Sequence, residues 1–186
     1  MLYRELQDAF IELTFLLRGF DYNDENSPGQ ELVRLSYQAN SQPFQQLKDD
    51  ISYIWVNYAD ASTSSQINER KEYVPFTDRV KSKKYQLRKL DVHWTFYGET
   101  AQDSAFKMRQ NLFSNKAKEF LDKHNIKLIP DVPEVVLFFE EVNKRWWPRV
   151  DIVVSYYIES EITEDLDYYE ALEVVLSTED EEITIN

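Results

Sequence analysis

The chain contains no cysteine, so neither disulfides nor thiolate metal sites can contribute, which suits a protein assembled in a reducing cytoplasm. Only 3 glycines and 6 prolines occur in 186 residues, too few for a low-complexity or fibrous chain. Gly-rich phosphate loops and a Ser-centred nucleophile elbow are missing. Histidine is scarce. His93 falls on the polar side of a predicted strand beside Asp91 and Thr95, and His124 near a helix end. Neither has a second histidine at metal-ligand spacing, so both read as surface or interface residues. No apolar run approaches the about 18 residues of a membrane span, and Arg4, Glu5, Asp8 and Glu12 break the first 17 residues too often for a signal peptide. A soluble protein with no membrane partner is expected. Lys and Arg are absent beyond residue 149. Residues 150–186 carry 12 acidic groups and a net charge of −12, whereas residues 1–149 hold 21 basic and 22 acidic groups, net −1. The bland meaning of that block is a solvated acidic face and tail. The functional one is a surface that does not grip DNA, since each Lys or Arg contact with a phosphate adds salt-dependent affinity.

What the chain does have is apolar and aromatic material, 42% and 15% of its residues. That is enough for one domain of 1–186 that buries roughly two thirds of its unfolded surface. Leu2, Leu6, Ala9, Phe10, Leu13, Leu16 and Leu17 form one helical stripe, closed by Gly19. After a turn-rich loop at 21–29, strands are expected at 31–37 and 51–58, joined through a turn at 40–43. The second is apolar on both faces, the pattern of a central strand covered on each side. At 90–97, Leu90, Val92, Trp94 and Phe96 alternate with polar neighbours, and Gly98 stops the strand. Ala101, Ala105, Met108 and Leu112, then Ala117, Phe120 and Leu121, follow a helical period, with Ser114 as N-cap of the second helix. A short apolar piece at 126–129 leads to Pro130-Asp131-Val132-Pro133-Glu134, a rigid extended connector. Val150, Ile152, Val154, Tyr156 and Ile158 then mark a strand with one buried face. Pro148 belongs at its first residues or at an edge, and Trp146 and Trp147 are expected to close the end of the core. Arg149 and Asp151 share a face and can form an ion pair. Leu172, Val174 and Leu176 make a last strand. There is no internal repeat.

Residues 61–84 are polar and too long for a structureless connection, so they are expected to form a hairpin arm. Its far limb holds Arg79, Lys81, Lys83 and Lys84. These are either a solvated basic edge or a contact with an acidic C-terminal segment, about 159–186, of a neighbouring copy; there Glu179, Asp180, Glu181 and Glu182 are the densest acids. The fold expected is α/β in the α+β sense: a mixed, mainly antiparallel sheet of four to six strands with flanking helices and a protruding polar arm.

The ordered set Tyr97-Gly98, Ala101 and Ala105, Pro130 to Pro133, and Trp146-Trp147-x-Arg149-Val150-Asp151 resembles a family of tailed-bacteriophage proteins, the neck or tail terminators, over roughly residues 85–160. The resemblance implies a structural subunit that assembles in the host cytoplasm and resides in the virion. It implies a homo-oligomeric ring, a hexamer, that closes the head-proximal end of the tail. The partners implied are the tail tube protein and the neck or connector proteins, with DNA passing through unbound. It implies no catalysis and no cofactor. The related alternative is another head-completion or tail-assembly component. An enzyme alternative rests on Asp131, Glu141 and Lys144, similar to a restriction-type nuclease core. The spacing there is Glu-x-x-Lys instead of Glu-x-Lys, and these acids are expected on the connector and a helix instead of a hairpin. Asp165, Asp167 and Glu170 lack the glycine and spacing of a calcium loop.

Overall fold

A computed structural model of the chain describes residues 3–36, 50–62, 66–73, 79–142 and 144–167. The elements are α1 (Tyr3–Arg18), α2 (Gly29–Leu32), β1 (Val33–Leu35), β2 (Ile51–Ala59), β3 (Ile67–Tyr73), β4 (Arg79–Tyr97), α3 (Ala101–Asn111), α4 (Asn115–Lys123), β5 (Ile126–Leu128), β6 (Val136–Val142) and β7 (Arg145–Asp167). The strands form a seven-stranded sheet in the order β1-β2-β4-β7-β5, with β3 paired to β4 and β6 to β7. β1 runs parallel to β2, whereas β2–β4, β3–β4, β5–β7 and β6–β7 are antiparallel. This is the expected α+β class, with more strands than the four to six anticipated. The chain divides into two compact units, residues 1–60 with 88–158 and residues 61–87 with 159–186.

In the first unit the helices bury the face of the sheet on which Leu90, Val92, Trp94 and Phe96 meet Val150, Ile152, Val154, Tyr156 and Ile158. The stripe of α1 supplies Leu6, Phe10, Leu13 and Leu17 to that core. Phe10 meets Tyr156 and Trp94 edge-on at 5.1 and 6.2 Å, the geometry that aromatic quadrupoles favour. Thr14 lies fully buried in the stripe. Its Oγ1 donates to the Phe10 carbonyl (2.6 Å) and accepts from Trp94 Nε1 (2.8 Å), so the buried indole N–H is satisfied. Gly19, at φ 81°, takes the left-handed position that ends the helix. Ser114 caps α4, its Oγ accepting from the Ala117 N–H at 3.2 Å.

Several expectations change. Residues Gly29–Leu32 are a helical turn, so the strand anticipated from 31 begins only at Val33. β2 is covered on one face only: Ile54 and Val56 are buried, but Trp55 is 47% exposed. Its outward aromatics pack on cross-strand neighbours instead of a second layer, Trp55 on His93 (4.7 Å) and Tyr53 on Tyr97 (6.0 Å). Residues 136–142 are a strand, not a helix, and with β7 they make a hairpin. The turn at 40–43, the strand at 172–176 and the acids Glu179 to Glu182 lie outside the described residues.

In the second unit β3 and the start of β4 form a hairpin from Ile67↔Gln86 to Tyr73↔Val80. Lys83 Nζ lies 3.1 Å from Glu72, and Ser82 Oγ donates to Glu69 at 2.5 Å.

Candidate assembly surface

Side chains on a strand alternate between faces, so the helices that bury one side of the sheet leave the other open. On that open face a polar network forms. The Arg149 guanidinium grips Asp151 through two bonds, Nε–Oδ1 at 2.9 Å and Nη2–Oδ2 at 2.8 Å, and reaches Glu140 at 3.5 Å. The Tyr97 hydroxyl donates to the same Glu140 oxygen at 2.6 Å. Two-point binding to Asp151 raises the Arg149 pKa, and burial followed by the Glu140 bond raises that of Tyr97. Trp147 packs beside this network on the cluster of Ile51 and Tyr97, against which Tyr53 also packs. Nearby, Ser155 Oγ donates to Asp91 at 2.6 Å, and Asp91 also pairs with Lys89 at 3.5 Å. Each of these bonds fixes the geometry of the groups it joins.

The β6–β7 hairpin differs. Opposed residues in an antiparallel ladder share a face, so Leu137, Phe139 and Glu141 lie on the side of Val150, Pro148 and Trp146. That side is continuous with the buried face of β7, yet the helices cover it no further than Val150. Phe139 and Trp146 are 66% and 67% exposed, and Val136, Leu137 and Phe138 are each close to half exposed. Between Val142 and Arg145, Lys144 adopts φ 62°, in the left-handed region that tight hairpin turns favour. Lys144 and Arg145 are both exposed. A strand that begins with four exposed apolar residues, Val136 to Phe139, and is paired on one side only among the described residues is the type of surface that proteins otherwise keep short or charged.

A second feature lies where α1 ends. A groove of about 420 Å³ is floored by Leu16, Phe20, Tyr22 and Phe120, with Glu12, Asp21 and Asn23 at its edge and Lys116 its one cation among the described residues. The Asp21 carboxylate accepts from the Asn23 N–H at 2.9 Å, which shapes the loop.

A protein-family model described as phage neck terminator protein matches residues 2–183 of the 186. The chain belongs to the phage neck terminator family. It is therefore a structural protein of the bacteriophage neck, a virion component that associates with other tail and neck proteins. No curated protein matches it.

The motif residues of this neck terminator fall in three places. Tyr97, Arg149, Asp151 and Trp147 join in the open-face cluster, and the Arg149–Asp151 pair forms as expected. Gly98, at φ 117°, turns the chain from β4 into α3. Pro130 and Pro133 belong to the connector that carries the chain from β5 to β6. Arg109 of α3 clamps it, donating to the carbonyls of Pro133 (2.8 Å) and Val132 (3.1 Å) and pairing with Glu134 at 2.9 Å. Trp146 departs from expectation. It closes no core because the helical layer stops short of it. Among the basic residues of the arm, Lys83 is engaged within its own hairpin by Glu72, with Glu161 adding attraction, while Lys81 is exposed. Of Arg79, only the backbone is described, at the start of β4. Asp131 and Glu141 are exposed, and among the described residues no three His, Asp or Glu side chains gather in a metal-binding group. The groove and the apolar face of β6 were not foreseen. Val135, Val136, Leu137, Phe138 and Phe139, bounded by Pro133 and an Asn-Lys turn, carried a strand signal in their β-branched and aromatic content.

Proposed function

We propose that this neck terminator assembles as a ring, a hexamer, that caps the head-proximal end of the tail tube and joins it to the connector. The observation that carries the reading is the family match along nearly the whole chain. The charge distribution supports it: a subunit of net charge −13 lines a DNA passage with little grip on phosphate. In this reading the subunit assembles in the host cytoplasm, performs no catalysis and needs no cofactor, and DNA crosses the ring without being bound. The arm bearing Arg79, Lys81, Lys83 and Lys84 faces the acids Glu179, Asp180, Glu181 and Glu182 of the next subunit. Head-to-tail contacts join two different patches and so can use opposite signs. Such pairs set orientation and association rate, and they weaken as salt screens beyond about 8 Å.

The test is the mass of the purified protein by native mass spectrometry and its negative-stain image with tail tubes, at low and high salt. Rings on the tube end that weaken with salt, and that fail in a Lys81→Glu/Lys83→Glu/Lys84→Glu variant, are expected. A monomer that leaves tube ends uncapped rejects the reading. Magnesium-dependent DNA cleavage lost on Asp131→Ala would reject the non-catalytic assignment.

A further inference from the structure

We propose that the β6–β7 hairpin of one copy seats in the groove between the end of α1 and α4 of the next, with Trp146 and Phe139 as the apolar contact. The inference rests on the ring reading above and names the surfaces that close the ring.

Both halves of the contact are present and open on each chain. Trp146 and Phe139 are two-thirds exposed at one place, and an aromatic-floored groove with room for an indole lies at another. A protrusion and a recess that differ make a heterologous contact, which propagates from copy to copy and closes into a ring when the rotation permits. Charge selects a second copy as the occupant. The hairpin end carries two exposed cations, Lys144 and Arg145, with Glu141 as its near anion; among the described residues the groove edge carries two anions, Glu12 and Asp21, and one cation, Lys116. The majority and minority charges of the two surfaces are opposite. The acids Asp24 and Glu25 extend the negative edge along the same loop. A large aromatic at the centre of such a contact, rimmed by ion pairs, is the usual composition of a binding hot spot.

The absence of cysteine makes the test direct. Lys144→Cys and Asn23→Cys are prepared as separate proteins, mixed, and oxidised, because a disulfide forms only where Cα atoms approach within about 7 Å. A covalent heterodimer from the mixture, with no dimer from Lys144→Cys alone, is expected. Trp146→Ala, on a surface side chain, should lower the melting temperature by no more than about 4 °C and weaken oligomerisation at least about 30-fold, as for a central interface tryptophan. Loss of assembly in Lys144→Glu/Arg145→Glu should be restored by Glu12→Lys/Asp21→Lys in the neighbouring copy. Dimers of Lys144→Cys alone would show hairpins pairing edge to edge and overturn the proposal. Rings that form without the mixed disulfide and tolerate Trp146→Ala would overturn it while leaving the ring reading intact. A parent that stays monomeric with and without tail tubes would remove both.

Discussion

Trp147→Ala separates two neighbouring tryptophans that a sequence motif treats alike. Trp147 rests on Ile51 and Tyr97, a small cluster apart from the main core. A fully buried indole truncated to alanine costs about 3–5 kcal/mol, of which part is the cavity left behind. Here the site is open at its edge, so water fills the space and the cavity contribution is small. What remains is the apolar surface returned to water. Trp147 is mostly buried, so about two thirds of the roughly 150–250 Å² that an aromatic side chain covers, at about 25 cal/mol/Å², gives about 2.5–4 kcal/mol. Trp146→Ala should cost about 1 kcal/mol or less, since the side chain is 67% exposed. Urea unfolding of both variants beside the parent, followed by far-UV circular dichroism at matched concentration, measures the two numbers, and an unchanged m-value confirms that they are comparable. A Trp147→Ala loss below about 1 kcal/mol would mean that the indole does not pack on the open face. A loss above about 4 kcal/mol would place it in a sealed core. Equal losses for the two variants would refute the assignment of opposite roles.

Two further effects follow from buried and half-buried groups. Thr14→Val keeps the side-chain shape but strands the Trp94 indole N–H, and should cost about 1–3 kcal/mol in the same unfolding assay; a change under about 0.5 kcal/mol would show that Trp94 finds another acceptor. Burial lowers the His93 pKa against the opposing pull of Asp91 and Asp151, so the folded protein takes up its proton at lower pH than the unfolded chain. Its stabilising contribution is complete above about pH 6.5 and is lost as pH falls from there through the depressed folded value. His93→Gln should therefore shrink the drop in melting temperature between pH 7.5 and 5.5, and an identical drop in both proteins would contradict the shift.

The parts of the fold legible in the sequence were those with one wet and one dry face. The stripe of α1, the alternation of Leu90 to Phe96 and that of Val150 to Ile158 each declare a period, and each is buried as that period demands. The Arg149–Asp151 pair was legible for the same reason, since residues two apart on a strand share a face. Where both faces are apolar the period disappears. β2 then looks covered on each side, although Trp55 is open to solvent, and β6 shows no strand period at all, although Phe139 is equally open. Trp146 is in phase with the buried residues of β7, so alternation alone assigns it to the core. The reach of the helical layer, which the strand does not encode, decides otherwise. The bond from Tyr97 to Glu140 spans 43 positions and depends on how β6 folds back, so no local pattern announces it.

The contact of Phe10 with Tyr156 bears on synthesis as well as on packing. The amphipathic α1 leaves the ribosome before the elements it packs on, and β7, which brings Tyr156 to Phe10, follows about 150 residues later, roughly 7–30 s at about 5–20 residues per second. A 16-residue helix is only marginally stable alone in water, so its stripe stays bare until β2, β4 and α3 are made, and even with Trp94 in place the Tyr156 side of Phe10 stays uncovered until β7. A subunit truncated before that strand cannot complete its core. Newly made neck subunits therefore become competent late, a timing set by the topology of the sheet.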